Sequence, residues 1–431
     1  MVRIQELNDI LQLVKSIESA QPNLLTGDFQ TNKTLAEFQD WSKRFWNLDG
    51  VRFAETPHRG IGGFATRNLS AGHLIASSNS SFVISEWDSR VMLKGCLANL
   101  SFWEDHAFLT MKVLAEFFDI SSRFQPYISN LPKKLIHPLF FGLKEYEILA
   151  NSHAFEGLVR QFKSVLLTYT KVYEKLKTNA EECAKFRLQP NTVTLELYLW
   201  ASANVISREF QNSSNTTYAY LAPVVDMLNH ADKEPNVLVR AEGSHTKFSI
   251  QGKTLHPIFK GEELVQEYIG DNATMDLFFG NWGIVRPTAA VAIKVNLDTN
   301  DDPGGNKLEL LKKAGMIPER EIFVKTQGRE GLKFSVDDFT YMSIITSGIA
   351  DVGKISIDVW RKISLKLEKS AVRLLSGFSL DAQQLENAWS KIDSKNEKLM
   401  LSFRYVIEER KKYVEIKRRL LLLQTSIKKF A

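Results

Sequence analysis

Hydrophobic positions change period several times along this chain, and each change marks a change of element. Residues 4–17 carry Ile4, Leu7, Ile10, Leu11, Val14 and Ile17 at helical spacing, and an aromatic-rich stretch from Trp41 to Trp46 extends this lead-in over residues 1–50. From Val51 the glycines Gly60, Gly62, Gly63 and Gly72 punctuate short β-prone runs, Leu74-Ile75-Ala76 and Phe82-Val83-Ile84, which predicts small strands joined by tight turns. Helical periodicity returns over residues 104–210. There Ala107, Met111, Leu114 and Phe118 form one stripe, while Leu195 to Ile206 is apolar on nearly every face and predicts a buried helix. Val237, Val239 and Ala241 then alternate, as do Phe248 and Ile250 beyond a turn at Glu242-Gly243-Ser244-His245, the pattern of a hairpin.

The sharpest boundary is the stretch from Asp298 to Asn306, dense in Asp, Asn, Pro and Gly and lacking core-forming side chains. Helical pattern resumes beyond it and ends with Leu399, Phe403, Val406, Tyr413 and Leu420 at heptad-like intervals among charges. At 431 residues the chain is longer than one hydrophobic core usually serves, so two compact units, or one with a large insert, are expected. No internal repeat or long low-complexity tract interrupts this plan.

Composition excludes several classes. Hydrophobic residues at 44% and charged residues at 24% are those of an ordinary globular protein. No run of about 18 apolar residues and no leader-like start occurs, so neither membrane insertion nor secretion is expected. The net charge of +5 is spread along the chain rather than gathered with interleaved aromatics, which reads as a solvated surface and not as direct nucleic-acid binding. The two cysteines, Cys96 and Cys183, lie far apart and are too few for a disulfide framework or a multi-cysteine zinc site, and a reducing compartment is the simpler reading.

Three separated segments carry candidate chemistry. The first, Arg59-Gly60-Ile61-Gly62-Gly63-Phe64-Ala65, lets the backbone approach a ligand closely, because glycine has no Cβ. Its spacing is not that of a dinucleotide fingerprint, and taken alone it reads as an ordinary hairpin turn rather than a cofactor loop. The second joins Ser207-Arg208, at the end of the buried helix, to Asp226-Met-Leu-Asn229-His230. A buried asparagine offers a donor and an acceptor, suited to a ligand presenting both an ammonium and a carboxylate. His230 has no partner at metal-ligand spacing, so no metal site is expected. The third, Lys260-Gly261-Glu262-Glu263, leads to Tyr268 at the end of a predicted strand and on to Trp282-Gly283-Ile284.

Taken together and in this order, these segments resemble the SET-domain methyltransferases. The resemblance is to the branch that holds Rubisco large-subunit methyltransferase and the fungal ribosomal-protein and elongation-factor lysine methyltransferases. It runs from about Val51 to Ile284, with Pro126-Tyr127-Ile128 similar to that branch's insert. It implies an α+β fold: a SET domain of small sheets over residues 51–285 with a helical insert at about 88–206, and a C-terminal all-helical domain over 290–431 that engages the protein substrate. The implied activity is S-adenosylmethionine-dependent protein-lysine N-methylation of a non-histone protein, a ribosomal protein or translation elongation factor, by a monomer in the cytoplasm or nucleus. Arg59, Gly60, Ile61, Ser207, Arg208, Asn229, His230 and Tyr268 would then line the cofactor site. Arg208, Asp226 and Trp282 would meet the substrate, with Tyr268 as the catalytic residue. Trp282 stands where the branch usually carries a tyrosine followed by glycine and phenylalanine. Two other readings are a silent SET module that only binds a partner, and a protein-histidine methyltransferase.

Overall fold

The computed structural model describes residues 34–57, 59–100, 106–211, 219–231, 234–243, 248–269, 273–298, 302–327, 331–351, 356–378 and 380–430, together with Gln5, Asp9, Gln12 and Asn300. Most of the helix expected over residues 4–17, and the turn residues Ser244 and His245, lie outside them. The chain forms two compact units, one within residues 1–135 and 159–268, the other from residues 136–158 and 269–431.

The first unit is built on strands. They are β1 (Asn47–Leu48), β2 (Val51–Thr56), β3 (Gly60–Ala65), β4 (Leu74–Asn79), β5 (Ile84–Ser85), β6 (Glu209–Gln211), β7 (Ala219–Leu221), β8 (Asn229–His230), β9 (Val237–Gly243), β10 (Phe248–Thr254) and β11 (Glu263–Gln266). The main sheet runs β1-β4-β10-β9-β11-β3-β2, with β8 also paired to β11, and β5-β7-β6 make a smaller sheet. Glycine-rich β3 is itself a strand, the second half of a hairpin in which Gly63 faces Phe53 and Gly60 faces Thr56. Alternation in β2 follows the pleat, with Val51 and Phe53 buried and Arg52 exposed.

Helices cover these sheets. The apolar run from Leu195 forms a helix to Arg208, started by the Thr194 side chain accepting from the Leu197 N–H. Ten of its residues are buried, so the helix is held from all sides and its C-terminal end is fixed in place. At about 1.5–3 kcal/mol for each large apolar side chain removed from water, Leu197, Trp200 and Val205 alone supply several kcal/mol towards that position. The stripe from Ala107 likewise forms a helix, Ala107–Phe118. One sequence expectation is corrected here. Cys96 and Cys183, separated by 87 residues, are joined in a disulfide with their Cα atoms 4.5 Å apart. Spacing along a chain says nothing about such pairing, which depends on folding to bring the two segments together. The Asn179 amide, donating to the Cys96 carbonyl at 2.9 Å, ties the same segments.

The second unit is mainly helical, with Val336–Ser347, Ile357–Gly377 and the long Glu397–Phe430 as its largest elements after residue 290. It is not helical throughout. Strands β12 (Val291–Asn296), β13 (Glu319–Gln327) and β14 (Gly331–Lys333) make an antiparallel sheet in the order β12-β13-β14. In β12 Val291, Ala292 and Ile293 are buried in succession and alternation with exposed Lys294 and Asn296 begins only at Ile293, so the period-two pattern that announces a strand is short. Tyr413 of the long helix donates its hydroxyl hydrogen bond to the Ala292 carbonyl at 3.0 Å, seating that helix on the strand.

Gly283 ends the helix Met275–Trp282 in the left-handed conformation, at φ 63°. A Cβ there would sit 2.1 Å from the Ile136 carbonyl oxygen, a backbone atom that no rotamer change can move away. Gly283→Ala is therefore expected to destabilise the second unit by about 2–4 kcal/mol, through an overpacked backbone contact and an unfavourable φ. Urea denaturation measures this directly, and a midpoint unchanged from the parent would contradict it.

Candidate active site

Strand pairing assembles the site. β11 lies between β3 and β8, so that Leu264 faces Gly63 on one side while Val265 and Gln266 face Asn229 and His230 on the other. The first segment in sequence is thereby set one strand away from the second, and Tyr268 follows two residues beyond β11. Gln266, itself buried, donates its side-chain amide to the carbonyls of Val225 at 2.7 Å and Leu228 at 3.3 Å, which pins the turn that precedes Asn229. Val224, at the head of that turn, holds φ at 90°. For a β-branched residue this is a strained conformation costing on the order of 1–3 kcal/mol, held in place by the surrounding bonds.

At one end of the site, the Arg59 guanidinium pairs with the Glu263 carboxylate at 2.6 Å and donates to the His230 carbonyl at 3.2 Å. The Asn229 side-chain amide donates to the other oxygen of Glu263 at 2.8 Å. Gly62 makes room for this pair, since a Cβ on it would lie 2.8 Å from both the Asn229 Nδ2 and the Glu263 Oε1. A Cβ on Gly63 would lie 2.4 Å from the Leu228 side chain. Gly60, with φ 66° and nothing within 4 Å of a built Cβ, borders open space, and Ile61 beside it is half-buried.

At the other end stand Arg208, Asp226, Tyr127 and Tyr268. Arg208, fixed by the buried helix, donates to the main-chain carbonyl of Asp226 at 2.9 Å. Ser207 lies beside it, its hydroxyl donating to the Asn204 carbonyl at 3.4 Å. Tyr127, fully buried, donates its hydroxyl to Asp226 Oδ2. The other carboxyl oxygen, Asp226 Oδ1, and the Arg208 Nε are buried with no hydrogen-bond partner among the described residues. Burial raises the Asp226 pKa to about 7, even though the Arg208 charge and the Tyr127 hydrogen bond both pull it down.

Tyr268 joins the two ends. Its N–H donates to His230 Nδ1 at 3.2 Å, its ring lies 5.1 Å from the His230 ring, and its hydroxyl donates to the Leu228 carbonyl at 3.1 Å. With its proton committed to Leu228, the phenol oxygen can act only as an acceptor towards a further group. Burial pushes the phenol pKa up to about 12, while the positive charge of Arg208 works the other way, so the hydroxyl stays protonated at neutral pH.

Arg59, Gly60, Ile61, Ser207, Arg208, Asp226, Asn229, His230 and Tyr268 thus all belong to the first unit and are linked by strand pairing and hydrogen bonds. Trp282 belongs to the second unit, where it closes the helix Met275–Trp282 and packs on Phe278 at 5.6 Å. Sequence reading assigned no role to Glu263 or Tyr127. Both sit inside segments it singled out, Lys260-Gly-Glu-Glu263 and Pro126-Tyr127, but nothing in their spacing reveals which side chain each one meets.

The strand order, the parallel pairing of β8 with β11 and the helical insert between β5 and β6 make up a known architecture. The SET domain family pattern matches residues 60–269. Residues 60–269 have the SET-domain fold. By structure, this SET domain and the rest of the chain are similar to the SET domain of LSMT bound to lysine and AdoHcy, with a TM-score of 0.67 and 14% identity over 91% of this chain and 92% of that one. They are also similar to Rubisco LSMT bound to sinefungin and monomethyllysine, with a TM-score of 0.66 and 15% identity over the same shares. By sequence, the chain is 26% identical over 336 residues to the actin-histidine N-methyltransferase of Rhinolophus ferrumequinum, covering 74% of this chain and 54% of the relative. It is 25% identical over 341 residues to the protein of the same name from Xenopus tropicalis, covering 74% and 55%. The chain therefore spans about half the length of the curated relatives it matches.

Proposed function

We propose that this chain is an S-adenosylmethionine-dependent protein-lysine N-methyltransferase. What supports the cofactor is the pattern of donors and acceptors in the SET domain. Gly60 borders open space at the start of the strand whose Gly62 packs against Asn229 and Glu263, and among the described residues Arg208 and Asp226 keep buried polar atoms without hydrogen-bond partners. Arg59, Gly60, Ile61, Ser207, Arg208, Asn229, His230 and Tyr268 are the residues that would hold it. When bound, S-adenosylmethionine supplies a methyl group already activated on a sulfonium.

The observation that favours lysine is Asp226. A lysine ammonium, with a free pKa near 10.4, must lose a proton before its nitrogen can attack, whereas an imidazole, near 6.5, is already largely neutral at physiological pH. A buried carboxyl with a pKa of about 7 and an unused oxygen suits a group that first attracts the ammonium and then takes its proton. Tyr268, able only to accept, would hold an N–H of the resulting amine and so aim its lone pair. Arg208, bonded to the Asp226 backbone, keeps that carboxyl in register with Tyr268.

The protein-histidine reading is favoured by the names of the curated relatives, and it makes a different chemical demand: no base is required before attack, only an acceptor for the N–H on the ring nitrogen that does not attack. A ribosomal protein or translation elongation factor in the cytoplasm is the proposed target, engaged through residues 290–431 by a monomeric enzyme, with Trp282 on the substrate side. Incubation of the purified chain with methyl-labelled S-adenosylmethionine and a lysate lacking this protein, followed by mass spectrometry of the labelled species, tests the proposal. Label on a lysine ε-nitrogen is the expected result. Label on an imidazole would transfer the reading to histidine, and absence of label would leave the site a binding module.

A further inference from the structure

We propose that Glu263 is a positioning residue that fixes which end of the Asn229 amide faces the cofactor, and so makes this site selective for the ammonium of the cofactor's amino-acid end. The inference rests on the reading above that Asn229 holds that end. An asparagine side chain is ambiguous by itself, because its oxygen and nitrogen are nearly equal in size and opposite in hydrogen-bonding sense. A carboxylate removes the ambiguity, since it can only accept.

Glu263 Oε1 takes the Asn229 Nδ2 hydrogen at 2.8 Å, which turns the amide oxygen the other way, as an acceptor. An acceptor in that place suits an ammonium and repels a carboxylate. The orientation is well supported. Glu263 Oε2 is held by Arg59 at 2.6 Å, and Arg59 is in turn held on the His230 carbonyl at 3.2 Å. The Glu263 backbone is pinned as well, its carbonyl accepting from the Asn236 side chain at 2.8 Å while the Asn236 oxygen accepts from the Val265 N–H at 2.7 Å. Gly62 leaves the pair the space it occupies, for a Cβ there would come within 2.8 Å of both partners. Asn229 is 8% exposed and the Glu263 side chain 18%, so water competes weakly for the bond that links them.

A glutamine at position 263 has one acceptor oxygen for the two donors, Arg59 and Asn229, so one of them must face an N–H. The test is calorimetric binding of two nucleosides to the purified full chain: S-adenosylhomocysteine, which carries the ammonium, and 5′-methylthioadenosine, which lacks the whole amino-acid end. In Glu263→Gln, affinity for S-adenosylhomocysteine is expected to fall about 10- to 100-fold, as for a misdirected hydrogen bond to a charged group, while affinity for 5′-methylthioadenosine stays within about twofold. Equal weakening of both ligands would mean that Glu263 merely supports the fold, and equal retention of both would mean that it positions nothing. Either outcome overturns the proposal. Asn229→Ala separates this from the underlying reading. If that variant also keeps full preference for S-adenosylhomocysteine over 5′-methylthioadenosine, Asn229 does not hold the amino-acid end; if it loses the preference while Glu263→Gln keeps it, only the role of Glu263 is wrong.

Discussion

Replacement of Tyr268 by phenylalanine is expected to slow methyl transfer about 10²- to 10³-fold while leaving S-adenosylhomocysteine affinity within about threefold of the parent, the size of effect typical of losing one oriented polar group at the reacting centre. The ring would keep its place, because the bond from the Tyr268 N–H to His230 Nδ1 and the packing of the two rings do not involve the hydroxyl. What disappears is the oxygen whose proton is committed to the Leu228 carbonyl and which is left to accept an N–H of the incoming amine. The loss should therefore fall on kcat more than on the KM for the cofactor. Single-turnover transfer to the protein substrate together with calorimetric binding measures both sides. A Tyr268→Phe protein with parental turnover would remove Tyr268 from the chemistry.

A second large effect is expected at Asp226. Its carboxyl must be ionised to take a proton, and its pKa is about 7, so activity under limiting substrate should rise with pH through about 7. Asp226→Asn keeps the shape and cannot take a proton. The rate is expected to fall about 10²- to 10⁴-fold near pH 7.5, and the limb near pH 7 should vanish. What activity remains should climb steadily into the alkaline range, as a growing share of the substrate amine is deprotonated by solvent. A variant that keeps the limb near pH 7 would assign that titration to another group. The same carboxyl carries a stability consequence of definite sign. A pKa raised from 3.8 in the unfolded chain to about 7 in the folded one means that ionisation opposes folding, so its contribution weakens as pH rises through that interval. Asp226→Asn should accordingly lose activity without losing stability at pH 8.

Much of the fold was legible because local pattern and burial agree. The apolar run from Leu195 could only be a buried helix, and the alternation of Val237, Val239 and Ala241 against Ile250 marked the β9–β10 hairpin. Strand β12 was missed for the opposite reason. Val291, Ala292 and Ile293 are buried in succession and only Lys294 and Asn296 interrupt the apolar run, so the alternation is too short to distinguish strand from helix. The grouping of residues 136–158 with the chain after residue 269 was equally hidden. It depends on long-range contacts, such as the carbonyl of Phe140 accepting from Lys398, that leave no mark on either segment.

In the candidate site, residue types that carry chemistry were visible and their second partners were not. Asn229, His230 and Tyr268 stand out by type and order, but only the parallel pairing of β8 with β11 sets them side by side. Glu263 looks like half of a charged turn until Arg59 and Asn229 are found on its two oxygens. Tyr127 looks like a core aromatic until its hydroxyl is seen on Asp226. Such partners are separated by tens to hundreds of residues, and the hydrogen bonds that orient a reactive group are set by three-dimensional packing rather than by spacing along the chain.

The most direct test of the site is ultraviolet cross-linking of methyl-labelled S-adenosylmethionine to the purified chain, followed by mapping of the labelled peptides. Label is expected in peptides spanning residues 59–64, 207–208, 226–230 or 263–268, and it should be displaced by excess S-adenosylhomocysteine. Label confined to peptides from 290–431, or label that the competitor does not displace, would contradict the claim that these separated segments fold into one cofactor pocket.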